Sequence, residues 1–317
     1  MRAVIYDRYG DPEVLSVAEI PVPTPGPDQV LVRVQATSIN LSDWETLRGT
    51  PLYSRIGGIR APRRPVLGSD IAGRVEAVGS AVTLFAVGDE VYGDNLMLKG
   101  GFAEYAVAPQ SALARKPAEL SFAEASTLPQ AAAIASQGTA GVADGMSVLI
   151  NGAGGGSGAF AIQLAKRAGA HVTGVDNADK LTFMRSVGAD EVIDYRAADF
   201  TRTGPYDFIL DLVAHRSVFA YRRAVARGGR YRCAGGTTRA LLRMTTVGVL
   251  AGMATGRNLR VLAVKEGPAH FTPLAEACVA GQIGIHIDRS FPLEETASAL
   301  AYVGAGRALG KVVVEIG

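Results

Sequence analysis

Apolar positions along this chain fall into two regimes. Over residues 1–110, short strand-like patterns at Ala3 to Tyr6, Gln29 to Gln35, Ala72 to Val78 and Glu90 to Tyr92 are broken by turn residues. PVPTPGPDQ (21–29) is a proline-rich loop, and residues 121–137 carry a helical pattern. From 147 to about 264, strand candidates at 147–151, 171–175, 191–193, 207–212, 229–234 and 259–264 alternate with helical segments. That alternation demands a parallel sheet with helices on both faces. After 270, FTPLAEACVAGQ and RSFPLEETASALAYVGAGR read as helices, and Lys311 to Ile316 as a strand. The expected fold is α/β: a β-rich first part, a doubly wound middle, and a short mixed tail that rejoins the first part. A ligand would then lie in the cleft between two domains.

The segment SVLINGAGGGSGAFAIQLAKRAGAHVTGVD (147–176) carries the chemistry. The strand Val148-Leu149-Ile150 runs into a glycine turn, a helix follows, and a second strand from His171 ends at the acid Asp176. This is the pattern of a dinucleotide-binding βαβ unit. Gly152, Gly155 and Gly158 sit three apart, with Gly154, Gly156 and Ser157 between them. Glycine leaves no Cβ between the backbone and a pyrophosphate. The first N–H groups of the helix, near Gly156 to Ala159, would face the phosphates. A tight turn without a ligand is the plainer reading of the same residues. Asp176, 18 residues after Gly158, can accept bonds from ribose hydroxyls and repels a 2′-phosphate, which favours NAD(H). Asn177 and Lys180 follow, and a lysine could accommodate a phosphate, so NADP(H) stays open. Asp176 could also simply cap the helical segment that starts near Ala178.

Composition narrows the class. With 317 residues, 48% of them hydrophobic, and 38 glycines, the chain suits a two-domain α/β enzyme with an ample core. A net charge of +2 does not suggest a dedicated nucleic-acid binder. Locally, Arg222, Arg223, Arg227, Arg230, Arg232, Arg239 and Arg243 crowd one stretch. They form a solvated face, or else a site for a phosphate-bearing ligand or an acidic membrane surface. Cys233 and Cys278 are the only cysteines and form no CxxC, which fits a reducing, cytoplasmic setting. MRAVIYDRYG enters a strand with no apolar signal segment. No stretch is apolar enough for a clear membrane span; residues 240–256 come closest and read as an apolar flap or interface helix.

The order of PTPGPDQVLVRVQATSINLSDW (23–44), RPVLGSDIAGRVEAVG (64–79), GGFAEYAV (100–107), the glycine turn, SVGADEVIDY (186–195) and IDRSFPLEETASALAYVGAGRALGKVVVEI (287–316) resembles the medium-chain dehydrogenase/reductase superfamily. It is most similar to the zinc-free quinone oxidoreductase branch, including the chloroplast-envelope homologues. The resemblance implies a GroES-like catalytic domain over 1–118 and 271–317, and a Rossmann NAD(P)-binding domain over 119–270. It implies hydride transfer from NAD(P)H to a quinone or enone, and a homodimer joined through Rossmann sheet edges. Tyr231 to Ala234 and Asn258 to Ala263 are the candidate edges. Where zinc relatives place a cysteine and a histidine, this chain has Asn40 and Ser69, and no Cys or His stands near Gln130. Zinc needs three or four converging ligands, and His171, His215, His270 and His286 are scattered. No metal site is therefore expected.

By the same resemblance Asn40 and Asp43, with Trp44 beside them, belong to the catalytic site. Asn40 as a helix cap and Trp44 as core are the plainer readings. Glu45 stands where branch members often carry an aromatic hydroxyl, and Tyr53 is a candidate proton donor. Asn40, Gln130, Leu212, Val213, Cys233, Ala234, Gly235, Val264 and Lys311 are implied on the cofactor side, Lys311 being equally well the charged start of an edge strand. Two rivals remain: an enoyl-thioester reductase acting on CoA or carrier-protein substrates, and a non-catalytic NAD(P)H-binding protein. The substrate is an unidentified small electrophile.

Overall fold

A computed structural model of the chain describes residues 1–56 and 58–316. Gly57 and Gly317, both within the expected catalytic domain, lie outside the described residues. The chain forms two compact units, Met1–Ala132 with Glu266–Gly317, and Ala133–Lys265. The sequence reading set these boundaries at 118/119 and 270/271.

The first unit opens with β1 (Arg2–Ile5), β2 (Ser16–Glu19), β3 (Gln29–Ile39), α1 (Leu41–Arg48), β4 (Asp70–Val78), β5 (Glu90–Asp94), β6 (Tyr105–Pro109) and β7 (Leu113–Arg115). The expected single helix over 121–137 is two, α2 (Phe122–Ser126) and α3 (Pro129–Gly138). Pro129 cannot donate to a preceding turn and instead starts a new helix. α2 is fixed by a capping box in which Ser121 Oγ accepts from Glu124 N–H at 3.1 Å and Glu124 Oε2 accepts from Ser121 N–H at 2.9 Å.

The second unit runs β8 (Ser147–Asn151), α4 (Gly156–Arg167), β9 (His171–Asp176), α5 (Leu181–Ser186), β10 (Glu191–Asp194), β11 (Tyr206–Asp211), α6 (Val218–Ala224), β12 (Val225–Cys233), α7 (Thr238–Arg243), α8 (Val249–Met253) and β13 (Asn258–Val261). A π-helical turn, Met244–Gly248, joins α7 to α8, so the 240–256 segment is one interrupted helix. The chain then returns to the first unit as α9 (Thr272–Val279), β14 (Ile287–Pro292), α10 (Thr296–Gly304) and β15 (Lys311–Glu315).

The second unit is a six-stranded, all-parallel sheet in the order β10-β9-β8-β11-β12-β13. Its central strands are buried on both faces, as Val148, Leu149, Ile150, Ile209 and Leu210 show. The order reverses direction at β8, so the turn after β8 stands at a switch point where dinucleotides bind in such sheets. The first unit's seven-stranded sheet runs β14-β15-β3-β4-β5-β7, with β6 also on β3.

Four expectations need correction. Tyr231 to Cys233 is not an edge, because β12 is paired on both sides, with β11 and β13; of the two segments only Asn258–Val261 lies at an edge. The helix expected over RSFPLEETASALAYVGAGR begins only at Thr296, because Ile287–Pro292 is claimed by parallel pairing with β15. The last strand of the second unit stops at Val261, leaving Val264 beyond it. Lys311 opens β15, an interior strand between β14 and β3 and not an edge.

Candidate active site

In the second unit the glycine turn is built by packing. Gly152 has φ +83°, a left-handed conformation that side chains avoid. A Cβ on Gly158 would fall 2.3 Å from Gly152 O, so that position admits only glycine. Gly155 differs: its extended backbone (φ −89°, ψ 179°) suits any residue, and a Cβ there would meet only Gly152 O, at 3.6 Å. Packing therefore does not explain this glycine, whereas space for a ligand against the backbone does. No side chain caps α4, so the donors of its first turn, at Gly156, Ser157 and Gly158, remain for a ligand. These residues fit the pyrophosphate of a dinucleotide.

Asp176 ends β9 beside this turn. Its Oδ2 accepts from Gly154 N–H at 3.0 Å and its Oδ1 from Asn177 N–H at 2.9 Å. Lys180 Nζ lies 3.7 Å from Oδ2. Asn177, not Asp176, caps the following turn, accepting from Asp179 N–H at 3.1 Å. Leu212 and Val213 approach the turn from the end of β11, where a Cβ on Gly152 would lie 3.2 Å from Leu212 Cβ. Ala234 N–H donates to Asp211 O at 3.0 Å, and Gly235 O accepts from Ala214 N–H at 3.1 Å. The expected residues from Gly152 to Gly235 thus meet at the carboxyl edge of one sheet. Cys233 is fully buried and burial pushes its thiol up to about 12, which leaves it unreactive.

Sequence reasoning missed the anchor of this edge. Asp211, fully buried, accepts from Asn151 Nδ2 at 2.8 Å, Tyr231 O–H at 2.8 Å and Val213 N–H at 3.1 Å. Burial raises its carboxyl, and these bonds pull it back. The available signal was an acid closing an apolar strand, the same signal that singled out Asp176.

In the first unit Asn40, Asp43, Gln130 and Lys311 converge in a buried polar cluster. Lys311 Nζ donates to Asn40 Oδ1 at 2.7 Å and lies 3.6 Å from Asp70 Oδ2. Asn40 Nδ2 donates to the same Asp70 oxygen at 2.8 Å. Asp70 Oδ1 accepts from Gln130 N–H at 3.1 Å, and Gln130 Oε1 accepts from Ser42 O–H at 2.9 Å. Asp43 Oδ2 accepts from Asn40 N–H at 3.0 Å, starting α1, while its Oδ1 faces Lys99 Nζ at 3.8 Å. Lys99 holds a left-handed φ of +57°, a strained conformation for a side-chain-bearing residue. Asp94, nearby, is pushed well above the carboxylate range by burial and by the charge of Asp70. Lys311 and Lys99 each face a buried carboxyl group, Asp70 and Asp43, and such pairing is what makes buried charge tolerable. Asp70, Asp94 and Lys99 were not singled out from the sequence. Among the described residues no group of three or more His, Cys, Asp or Glu could hold a metal ion.

Tyr53 is separate from this cluster: its hydroxyl donates to Glu45 Oε2 at 3.1 Å. Burial pushes Glu45 up to about 7, against the smaller pull of that bond. A raised carboxyl contributes stability that is complete below its unfolded value of 4.5 and is lost as pH rises through 7. Glu45→Gln is therefore expected to lose less stability than the parent between pH 5 and pH 8, measured by urea unfolding. Equal losses would show that Glu45 titrates normally.

Two domain models match the chain. That of the alcohol dehydrogenase GroES-like domain covers residues 26–118, and that of the zinc-binding dehydrogenases covers 187–314. Together with the parallel sheet they define a GroES-like plus Rossmann-type dehydrogenase. The chloroplastic quinone-oxidoreductase QR1 of Triphysaria versicolor is 32% identical over 335 residues, covering 99% of this chain and 98% of its own. The chloroplastic NADPH-dependent alkenal/one oxidoreductase of Arabidopsis thaliana is 31% identical, over 99% of this chain and 79% of its own. The quinone oxidoreductase structure from Coxiella burnetii superposes with a TM-score of 0.91 at 28% identity, over 100% of this chain and 99% of its own. The chain belongs to the quinone oxidoreductase family of the medium-chain dehydrogenase/reductase superfamily, as its motifs led us to expect. Among the described residues no helix is long and apolar enough to cross a membrane.

Proposed function

We propose that this chain is a zinc-independent reductase that transfers a hydride from NAD(P)H to a quinone or α,β-unsaturated carbonyl, with NADH preferred. The observation that carries this is the turn itself: Gly155 is open where packing does not require it, beside the uncapped start of α4. Bound NAD(P)H supplies the hydride. The turn from Gly152 to Gly158 would hold the pyrophosphate, with Leu212, Val213, Ala234 and Gly235 along the same edge. Asp176, fixed by two backbone N–H groups, disfavours a 2′-phosphate, and this supports NADH although one relative is named for NADPH.

Zinc independence is supported by the chemistry at Asn40. An amide and a serine stand at the expected ligand positions, and the Lys311 ammonium supplies the positive charge beside Asp70. Asn40 and Asp43 hold that region in shape. The electrophile's developing oxygen needs a donor and then a proton. Tyr53 is a poor donor because burial raises its hydroxyl, whereas Glu45, at about 7, exchanges a proton near neutrality. The free thiols of Cys233 and Cys278 support a reducing, cytoplasmic setting, and the edge strand β13 supports pairing with a second copy.

The test is NADH and NADPH oxidation with 1,4-benzoquinone, but-3-en-2-one and crotonyl-CoA. The expected result is turnover of the first two, with kcat/KM for NADH about tenfold above that for NADPH, a difference of about 1.4 kcal/mol. Asp176→Ser should erase that ratio. Turnover of crotonyl-CoA alone would replace this reading with a thioester reductase, and cofactor binding without turnover would make it a binding protein.

A further inference from the structure

Residues 212–265 contain ten arginines, one lysine and no aspartate or glutamate. The other 21 of the chain's 32 basic residues share the remaining sequence with all 30 acids. The chain's near-neutral total therefore hides one strongly positive region. Within it, between α6 and the end of α8, lies a cavity of about 590 Å³ lined by Ser217, Phe219, Arg222, Arg223, Thr255 and Arg257. That volume suits a small organic ligand.

The three guanidinium groups at this cavity have no carboxylate partner among the described residues. Arg257 is held in place by Val225 O at 2.7 Å and Thr255 O at 3.0 Å. Arg223 donates to Thr201 Oγ1 at 3.3 Å. Arg222 lies over the exposed Phe219 ring, 5.6 Å from its centroid. Like charges gathered in one place repel one another, and the Asp199 carboxylate, which reaches Arg223 through Thr201 Oγ1, is itself paired with Arg202. An anion relieves that repulsion, and guanidinium forks match phosphate oxygens best. The Ser217 hydroxyl adds a donor, Thr255 Oγ1 being already committed to Ala251 O at 2.6 Å, and Phe219 adds an apolar wall. None of these residues belongs to the glycine turn.

We infer that this cavity is a second anion site, distinct from the dinucleotide turn, that binds a phosphate monoester or diphosphate. The source is either a soluble phosphorylated compound or a phospholipid headgroup. Exposed Leu250 and Met253 on α8 would suit the second source.

The test uses the full chain with NADH in excess, so that the glycine turn is filled. Inorganic pyrophosphate is titrated by calorimetry, and vesicles of phosphatidylcholine with phosphatidic acid are tested by co-sedimentation. Arg222→Gln/Arg223→Gln is compared with Arg239→Gln/Arg243→Gln, which removes the same charge from exposed α7 positions outside the cavity. The expected result is one-to-one binding that falls about tenfold or more in the first pair only. Seen with pyrophosphate, this identifies a soluble ligand; seen with vesicles alone, a headgroup. No binding of either probe, or equal losses in both pairs, overturns the site. Melting temperatures of both pairs verify folding, and since the readout is phosphate binding, failure here leaves the proposed reductase activity untouched.

Discussion

Gly155→Val is expected to abolish useful cofactor binding while leaving the fold intact. Gly155 has the extended backbone of a strand end, and a Cβ there meets only Gly152 O at an ordinary contact distance of 3.6 Å. Valine is comfortable in that conformation. Its methyl groups would stand in front of the first amides of α4, where on the proposed reading the pyrophosphate would approach. A loss of about a hundredfold in NADH affinity, about 2.7 kcal/mol, is expected from fluorescence titration, with an unchanged melting temperature. Gly158→Ala should do the opposite and disrupt the turn, because its Cβ would sit 2.3 Å from Gly152 O and 2.6 Å from Ala153 Cα. A Gly155→Val protein that still binds NADH tightly would remove the glycine turn from the site.

Lys311→Met is expected to cost about 3–5 kcal/mol of stability, the range for removing one partner of a buried ion pair. The ammonium is 4% exposed, bonds Asn40 Oδ1, and is the nearest ion-pair partner of the fully buried Asp70. Methionine keeps much of the volume but leaves Asp70 without its cation. Burial already raises Asp70, and Lys311 is what chiefly lowers it again. In the variant that carboxyl rises further. A raised carboxyl loses its stabilising contribution as pH increases, so the deficit should be largest at neutral pH and shrink as acid protonates Asp70. Adding Asp70→Asn should recover at least half of the loss, since it removes the orphaned charge. Urea unfolding at pH 5 and pH 8 would measure both effects. A small deficit independent of pH would mean that the pair contributes no net electrostatic stability.

The two predictions differ in how visible their residues were beforehand. Gly155 was legible because the pattern proposed to cradle phosphate is local: strand, turn, helix start and terminal acid follow one another within 30 residues, and each has a compositional signature. Lys311 could be singled out by resemblance, but its role could not. Its partners Asn40 and Asp70 lie 271 and 241 residues away, brought together because β15 pairs with β3 and β3 with β4. Glu45 looked like a mere departure from the branch pattern, and burial beside Tyr53 is what gives it a proton near neutral pH.

The same division holds for the fold. Period and length determined the strands and helices of the alternating middle and the parallel sheet they require, and glycine spacing determined the turn after β8, because these depend on neighbours in sequence. Pairing decided the rest. Ile287–Pro292 became a strand because β15 offered it hydrogen bonds, and Tyr231 became interior because β13 covered its edge. Only the tertiary structure could bring Asp43, Asp70, Asp94, Lys99 and Lys311 into one buried cluster. Coulomb energy and desolvation depend on distance in space, and distance along the chain does not encode it.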